Sequence, residues 1–135
     1  MKYVIYCIAI FTYLFSSCLS ASENLDILSK HFDAYNRGDI EALASTIHED
    51  IEEITYPNTR KSNSKAELLK NWEQFINDFK PVVSIKYISE IGSRVVAIEE
   101  LKLYQNGELI EKVEVAEIYE FKEGQIIKAV VVDDQ

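Results

Sequence analysis

The chain has 135 residues, a formal net charge of −9 at pH 7 and 47% hydrophobic residues. This length fits one domain, and the apolar content excludes a disordered chain. Acidic residues number 23 against 14 basic ones, so no basic surface is available for a phosphate backbone and we expect no nucleic-acid partner. No HExxH, P-loop, GxGxxG or CxxC motif occurs, so we expect no metal and no cofactor.

Residues 1–21 are typical of a signal peptide. Lys2 is followed by thirteen uncharged residues and then by small ones, and the apolar run is short for a membrane span. We therefore expect an exported protein, periplasmic or secreted, with its domain in residues 22–135. Two alternatives remain open: an uncleaved anchor, and a lipid on Cys18, because the residues before it resemble a bacterial lipobox.

Both cysteines of the chain, Cys7 and Cys18, lie in this segment. The remaining domain would then have no disulfide and would be stabilised by its apolar core alone. Removal of Lys2 makes the net charge one unit more negative. Such a surface is repelled by anionic membranes, so we expect no membrane contact beyond the N-terminal segment.

Two amphipathic helices are predicted at the start of the domain. The first covers 22–37, with apolar residues on one half of its surface, and ends at Gly38. Asp39 can cap the second helix, which carries an apolar stripe of Ile40, Leu43, Ala44 and Ile47.

A strand, a loop and a third helix follow. The strand is predicted over 51–56 and the polar loop over 58–63. Ser64 and Glu67 form a capping box that opens the third helix, which ends before Pro81.

From residue 82 onward the pattern changes to β-strands. Four β-rich runs are separated by the turn signals Gly92-Ser93, Asn106-Gly107 and Glu123-Gly124. The runs are Val82–Ile91, Arg94–Tyr104, Leu109–Phe121 and Ile126–Val132. Helices followed by an antiparallel meander predict an α+β fold, with the helices packed against one face of a curved sheet.

Three stretches of the chain carry a resemblance to a known family. They are HFDAYNRGDIEAL at 31–43, Tyr56-Pro57 after the first strand, and YEFKEGQII at 119–127. They resemble the nuclear transport factor 2-like superfamily and specifically its SnoaL-like branch. That superfamily includes ketosteroid isomerases, polyketide cyclases and proteins without known activity. The resemblance implies a cone-shaped antiparallel sheet wrapped around three N-terminal helices, a pocket at its open end and a homodimer formed through the outer sheet face.

His31 is the first candidate site residue. It lies at the centre of the apolar side of the first helix, where a polar ring needs a partner or a cavity. The resemblance places it where ketosteroid isomerases have a hydroxyl-donating tyrosine. His31 is thus either a pocket residue able to exchange a proton or a core histidine bonded to the backbone.

Glu117 is the second candidate. Period-two alternation places it on an apolar strand face between Val115 and Tyr119. The resemblance places it where ketosteroid isomerases have a protonated oxyanion-hole aspartate, and burial would raise its pKa. The alternative is a rim or dimer-interface position at which Glu117 stays ionised.

The third member of that arrangement is missing. Ketosteroid isomerases have their general-base aspartate directly before the proline that follows the first strand, and this chain has Tyr56 there. Aromatic residues at a pocket mouth can offer an O–H or N–H group to a ligand. The predicted ligand-binding residues are His31, Tyr35, Tyr56, Trp72, Glu117 and Tyr119, and His31 and Glu117 are the catalytic candidates.

The predicted strands bring a second carboxylate onto the face of Glu117 but not within reach of it. A two-residue turn at Asn106-Gly107 puts Glu100 and Glu117 on one face, about 13 Å apart, which is too far to share a proton. It also puts Lys102 opposite Glu111. The pairs Glu52-Glu53 and Glu99-Glu100 are interpreted as solvated charge.

Three hypotheses for function follow. The chain binds a small apolar molecule without turnover, or it is a lyase, isomerase or cyclase that uses His31 and Glu117, or it associates with itself or a partner through the open sheet face. The missing base favours binding over catalysis.

Overall fold

The computed structural model describes residues 23–56, 59–60, 62 and 64–132. The predicted signal peptide and both cysteines lie outside the described residues. Helix α1 is described over 23–37, followed by α2 (Ile40–Thr46) and α3 (Lys65–Phe79). The strands are β1 (Ile47–Tyr56), β2 (Thr59–Arg60), β3 (Val82–Ile91), β4 (Arg94–Gln105), β5 (Glu108–Lys122) and β6 (Gln125–Val132).

The strands form one sheet in the order β2-β1-β6-β5-β4-β3. All neighbouring strands are antiparallel except β1 and β6, which are parallel. Four strands and α3 separate these two in the chain, which provides the long crossover that a parallel pair needs. Three helices with a curved, mostly antiparallel sheet confirm the predicted α+β class.

The predicted helix ends follow from local chemistry. Gly38 has a φ of +66°, a conformation that ends α1 at low cost only in glycine. The Asp39 carboxylate accepts the Ala42 N–H at 3.0 Å, and the Ser64 hydroxyl accepts the Glu67 N–H at 3.2 Å. Each side chain satisfies an N–H group that its helix leaves without a partner.

Two of the predicted turns have positive φ at both central residues. Asn106 and Gly107 have φ values of 52° and 82°, and Glu123 and Gly124 have 53° and 74°. This is the backbone of the type I′ hairpin, whose twist matches that of the flanking strands.

The boundary between α2 and β1 was predicted wrongly. Helix α2 ends at Thr46, and Ile47 is the first residue of β1 rather than the last apolar position of the helix. Ile47 is fully buried and pairs with Ile126 of β6, so tertiary pairing outweighs a short helical pattern. Within the predicted loop, Thr59–Arg60 forms the short strand β2.

The register of the β4–β5 hairpin also differs from the prediction. Beside the turn, Tyr104 pairs with Leu109 as expected, but Leu103 pairs with Glu111. Ile110 is therefore an extra residue, a β-bulge, and every later pair is shifted by one. Such a shift exchanges the two faces of a strand relative to its partner.

The register and the burial together overturn three interpretations of charged residues. Glu117 lies opposite Ala97, so it shares its face with Glu99 and not with Glu100. Lys102 lies opposite Lys112 rather than Glu111. Glu99 and Glu100 are each only 4% exposed, so neither is solvated charge.

The core lies between the helices and the inner face of the sheet. Its most buried apolar side chains are at most 1% exposed, and they come from helices and strands alike: Leu28, Leu43, Ile47, Val95 and Ile126. Removing these side chains from water provides the main stabilisation of the fold.

Helix α1 is also fastened to the edge of the sheet. Strand β3 is an edge strand, and the Asn36 amide group donates to the Val83 carbonyl at 2.9 Å. The Val83 N–H donates in return to Asn36 Oδ1 at 2.7 Å. One side chain thus satisfies both main-chain groups of an edge residue.

Candidate functional site

A cavity of about 720 Å³ lies between the helices and the inner face of the sheet. We call it the central cavity. Its size is that of a site for a small organic molecule. Aromatic side chains form much of its wall: Phe32, Tyr35, Trp72, Phe75 and Tyr119.

Five of the six predicted ligand-binding residues line this one cavity: His31, Tyr35, Trp72, Glu117 and Tyr119. Tyr56 does not. It pairs with Val132 at the end of β1 and is 60% exposed, because alternation along the strand turns it away from the cavity-lining Glu53.

His31 is buried in the cavity wall and held in one orientation. Its Nδ1 lies 2.8 Å from the Thr46 hydroxyl oxygen, while the Thr46 hydroxyl donates to the Leu43 carbonyl at 2.7 Å. Since the threonine proton is used there, Nδ1 must carry the ring proton and donate it to Thr46. Nε2 is then left as an acceptor.

The environment of His31 also fixes its charge. Burial lowers the pKa of His31 from 6.5 to about 4, so the ring is neutral at pH 7. Its ring meets that of Trp72 edge-on, with centroids 5.5 Å apart. At neutral pH His31 therefore offers a ligand in the cavity a hydrogen-bond acceptor, Nε2, and no acidic proton.

The Tyr119 hydroxyl joins the buried carboxyl of Glu99 and the half-buried carboxyl of Glu117. The hydroxyl oxygen lies 2.7 Å from Glu99 Oε1 and 2.7 Å from Glu117 Oε2. A phenol has one proton and donates to one carboxylate at a time. The other short contact is favourable only when that carboxyl is protonated and donates to the phenol oxygen. The contacts therefore indicate that Glu99 and Glu117, which we call the carboxyl pair, share one proton.

The pKa shifts agree with this arrangement. Burial, reinforced by the negative charge of Glu99, raises the pKa of Glu117 to about 8. Burial also raises the pKa of Glu99 and holds that of Tyr119 well above its usual value. Near pH 7 the carboxyl pair thus holds a proton donor, Glu117, and a proton acceptor, Glu99, connected by a neutral phenol.

Sequence reasoning identified Glu117 but missed Glu99. The signal that could have found it is the same period-two alternation. Along β4, Val95, Ala97, Leu101 and Leu103 are the apolar positions on the face to which Glu99 belongs. The predicted register drew attention to Glu100 instead.

A further carboxyl reaches the cavity from β1. Glu53 lines the central cavity, three residues before the position expected for a base, and so is not the solvated charge that the sequence predicts. Its negative charge contributes to the raised pKa of Glu117 and of Tyr35, whose pKa burial raises most. Glu111 of β5 lines the cavity as well.

The part of the chain that the structure describes has neither a metal-binding cluster nor a membrane-spanning helix. Those residues contain no group of three His, Cys, Asp or Glu side chains placed to hold a metal ion. None of the helices they form has the length and apolar character to cross a membrane.

Solved structures share this fold at low sequence identity. An epoxide hydrolase of the LEH type from Mycobacterium tuberculosis is 14% identical, with a TM-score of 0.74 over 84% of each chain. A cystatin-fold protein from Novosphingobium aromaticivorans is 18% identical, with a TM-score of 0.73 over 82% of this chain and 97% of that one. A proposed polyketide cyclase from Xanthomonas campestris is 16% identical, with a TM-score of 0.72 over 85% and 93%.

These likenesses show a shared fold and leave the reaction open. No curated protein matches the chain at a significant level. The model of the SnoaL-like domain matches residues 28–129. This range includes most of α1, all of α2 and α3, and the strands as far as the middle of β6. The resemblance noted in the sequence is thereby confirmed, and the chain belongs to the SnoaL-like domain family.

Proposed function

We propose that the chain binds a small, largely apolar organic molecule in the central cavity. The observation that carries this proposal is the carboxyl pair, bridged by Tyr119, on the wall of an aromatic cavity of about 720 Å³. Ligand sites combine such apolar walls with a few convergent polar groups. A cavity needed only for packing would be filled by side chains, since interiors are close-packed.

The lining suggests how a ligand would be held. Phe32, Trp72 and Phe75 offer aromatic surface to an apolar body. Protonated Glu117 can donate a hydrogen bond to an oxygen of the ligand in exchange for its contact with the Tyr119 oxygen, and neutral His31 can accept one at Nε2. The ligand therefore needs one end with hydrogen-bonding groups and one end without.

The test uses two neighbouring valines of β6. Val131 lines the central cavity, whereas Val130 pairs with Ile118 on the outer sheet face. Nile red, a neutral apolar dye, is titrated with wild type, Val131→Phe and Val130→Phe. We expect saturable fluorescence enhancement with wild type and Val130→Phe, and affinity lowered at least about tenfold by Val131→Phe because the ring fills the cavity. Equal loss in both variants, or binding that neither affects, would contradict a site in the cavity.

A second candidate function is proton-transfer catalysis on a bound carbonyl compound. It is favoured by the carboxyl pair, whose members differ in protonation near neutral pH. In the forward step Glu99 takes a proton from the carbon beside the carbonyl, and Glu117 donates its proton to the carbonyl oxygen, which gives the enol. The reverse step returns a proton to carbon.

Deuterium incorporation tests this step without knowledge of the natural substrate. With 2-tetralone in D₂O, NMR should show enzyme-dependent loss of the protons beside the carbonyl. Glu99→Gln should slow the exchange at least about 100-fold, since the base is removed. Exchange at the buffer rate with wild type would leave binding as the function.

Self-association through the outer sheet face is a separate proposal. That face exposes Tyr56 and Tyr87, each at 60%, and Val132 at 38%. It also carries a lysine cluster, Lys86, Lys102 and Lys112, around Glu100, in a chain of net charge −9. A second acidic copy would meet both apolar area and opposite charge there.

Sedimentation equilibrium tests this association. We expect a dimer that Tyr87→Glu dissociates and that Asn77→Glu, on the exposed side of α3, leaves intact. A monomeric wild type at 100 µM, about the range of weak dimers, would overturn this proposal.

A further inference from the structure

We propose that the ligand of the central cavity is an organic cation, namely a protonated amine on an apolar body. This inference rests on the proposed binding function and adds the charge of the ligand. It is carried by the cavity itself, which has room and aromatic wall for an organic molecule, together with the charges that line it. A neutral ligand bound to protonated Glu117 is the competing outcome of the test below.

The charges of the lining all have one sign. Four carboxyl residues of the inner strand faces line the central cavity, and the lining residues that the structure describes include no lysine or arginine. The four are Glu53, Glu99, Glu111 and Glu117. An anionic ligand would meet repulsion from several of these groups at once, whereas a cation would be attracted from the mouth inward.

The carboxyl pair is the place where a cation would be held most strongly. Both carboxyls lie 2.7 Å from one hydroxyl oxygen, so without a ligand the pair needs a proton to reduce its repulsion. A primary ammonium group has three N–H donors and can reach both carboxylates together. Hydrogen bonds between charged groups in a partly buried site are about twice as strong as neutral ones.

The aromatic wall is suited to the same class of ligand. Tyr35 and Trp72 meet edge-on, with ring centroids 6.3 Å apart, in the wall of the cavity. Ring faces attract cations, and the attraction is greater where water is excluded. The overall charge of −9 further raises the local concentration of cations.

Three probes with one apolar body and different charges test the inference. They are 1-adamantanemethylamine, 1-adamantanemethanol and 1-adamantanecarboxylate, of which only the amine is positive at pH 7. Trp72 is the single tryptophan of the chain and lines the cavity, so its fluorescence reports binding directly. We expect the amine to bind at least about tenfold more tightly than the alcohol, and the carboxylate to bind least.

The outcomes separate the two proposals. If the alcohol binds as tightly as the amine or more tightly, the central cavity is a ligand site but the inference of a cation is wrong. If none of the three probes changes the fluorescence of Trp72 up to millimolar concentration, the binding function is rejected together with the inference. If the carboxylate bound most tightly of the three probes, the inference of a cation would likewise be wrong.

Matched variants locate the charge. Glu117→Gln and Glu99→Gln should each weaken the amine about tenfold and affect the alcohol less. Glu108→Gln removes the same charge at the exposed start of β5 and should change neither. All three variants should unfold cooperatively, because an amide is isosteric with a carboxyl. Equal loss with Glu108→Gln would mean that only the overall charge of the chain matters.

Proton release provides a second readout. The titratable groups around Glu117 are Glu99 and Tyr119 in the network, Glu53 from β1 and Tyr35 from α1. A bound ammonium group stabilises the ionised form of the carboxyl pair, so the amine should release close to one proton at pH 7. Calorimetry in two buffers of different ionisation enthalpy measures this release, and the alcohol should give none. Absence of release with the amine would place the ammonium group away from the pair and overturn the inference.

Discussion

Glu99 and Glu100 are adjacent in β4 and equally buried, at 4% exposure, but they face opposite sides of the sheet. On the outer side, Glu100 forms ion pairs of 2.7 to 3.1 Å with the three residues of the lysine cluster. These contacts, the one with Lys112 first, lower the pKa of Glu100 to about 2. On the inner side, Glu99 contacts the Tyr119 hydroxyl, and burial raises its pKa.

The difference shows that the covering groups, rather than burial, decide the charge of a carboxyl. Glu100 is covered by flexible lysine side chains, which bring positive charge and remain close to water, so it stays ionised. Glu99 is covered by the protein interior and by another carboxyl. The three residues of the lysine cluster thus lie outside, and the carboxyl pair inside is left able to respond to a ligand.

The largest expected effect is on stability at alkaline pH. The folded-state pKa of Glu117, about 8, lies above the ordinary value of about 4.5. The folded state therefore holds an extra proton between these values, and stability falls as pH rises through 8. Urea unfolding at pH 5 and pH 9 should show a loss of about 4 kcal/mol in wild type that Glu117→Gln largely abolishes.

The matched control is Glu108→Gln, which should follow the wild-type curve. Parallel curves for wild type and Glu117→Gln would mean that the inner carboxyl is ionised like the outer one. The inner and outer faces of the sheet would then not differ in the charge of their carboxyls.

The next effect concerns a buried base on the inner side. The folded-state pKa of His31, about 4, lies below 6.5, so the folded state binds fewer protons between these values and stability falls as pH drops through this range. This group contributes a loss of about 3 kcal/mol by pH 4. His31→Asn keeps a donor for Thr46 but cannot ionise, so its urea-unfolding curve should be flatter from pH 7 to pH 4. An NMR titration in which His31 protonates near pH 6.5 would contradict this.

A smaller effect is expected from loss of the bridging hydroxyl. Tyr119→Phe leaves the carboxyl pair without its shared partner and should lower the free energy of unfolding by about 1–3 kcal/mol, measured by urea at pH 7. Tyr104→Phe removes the same group near the far end of β4 and should stay within about 0.5 kcal/mol of wild type. Equal losses would show that the hydroxyl does not hold the pair together.

The smallest effect at neutral pH is expected on the outer face. Glu100→Gln removes the charge at the centre of the lysine cluster, but the lysines can turn toward water, so we expect only a modest fall in Tm. Because the folded-state pKa of Glu100 is lowered to about 2, its stabilisation is present above pH 4.5 and is lost as pH falls through 2. Melting curves of Glu100→Gln and wild type should therefore converge in acid. If the two melting curves converged at alkaline pH instead, Glu100 would behave like a carboxyl with a raised pKa, and the contrast with Glu99 would be lost.

The parts of the fold that depend on local chemistry could be predicted from the sequence. Asp39 and Ser64 cap helices because their side chains satisfy nearby N–H groups, and Asn106-Gly107 forms a turn because both residues tolerate positive φ. The inward direction of Glu117 followed equally from alternation within its own strand. None of these features needs knowledge of a distant residue.

The parts that depend on pairing between strands could not be predicted. The β-bulge at Ile110 has no marker in the sequence, yet it decides that Glu99 rather than Glu100 joins Glu117. Likewise, residues 51–56 show no clear alternation, so the directions of Glu53 and Tyr56 become fixed only when β1 pairs with β6. Half of the carboxyl pair could be predicted. The direction of Glu117 follows from alternation within β5, whereas the position of Glu99 next to it depends on the register between β4 and β5.

The contact between Asn36 and Val83 has a consequence for the behaviour of the protein in concentrated solution. A bare edge strand such as β3 is a template onto which another chain can add its own strand, the first step toward fibrils. The Asn36 amide occupies the donor and the acceptor of Val83, so a foreign strand finds both taken near the start of that edge. A single helix side chain thereby blocks the addition of a strand at this point of the edge.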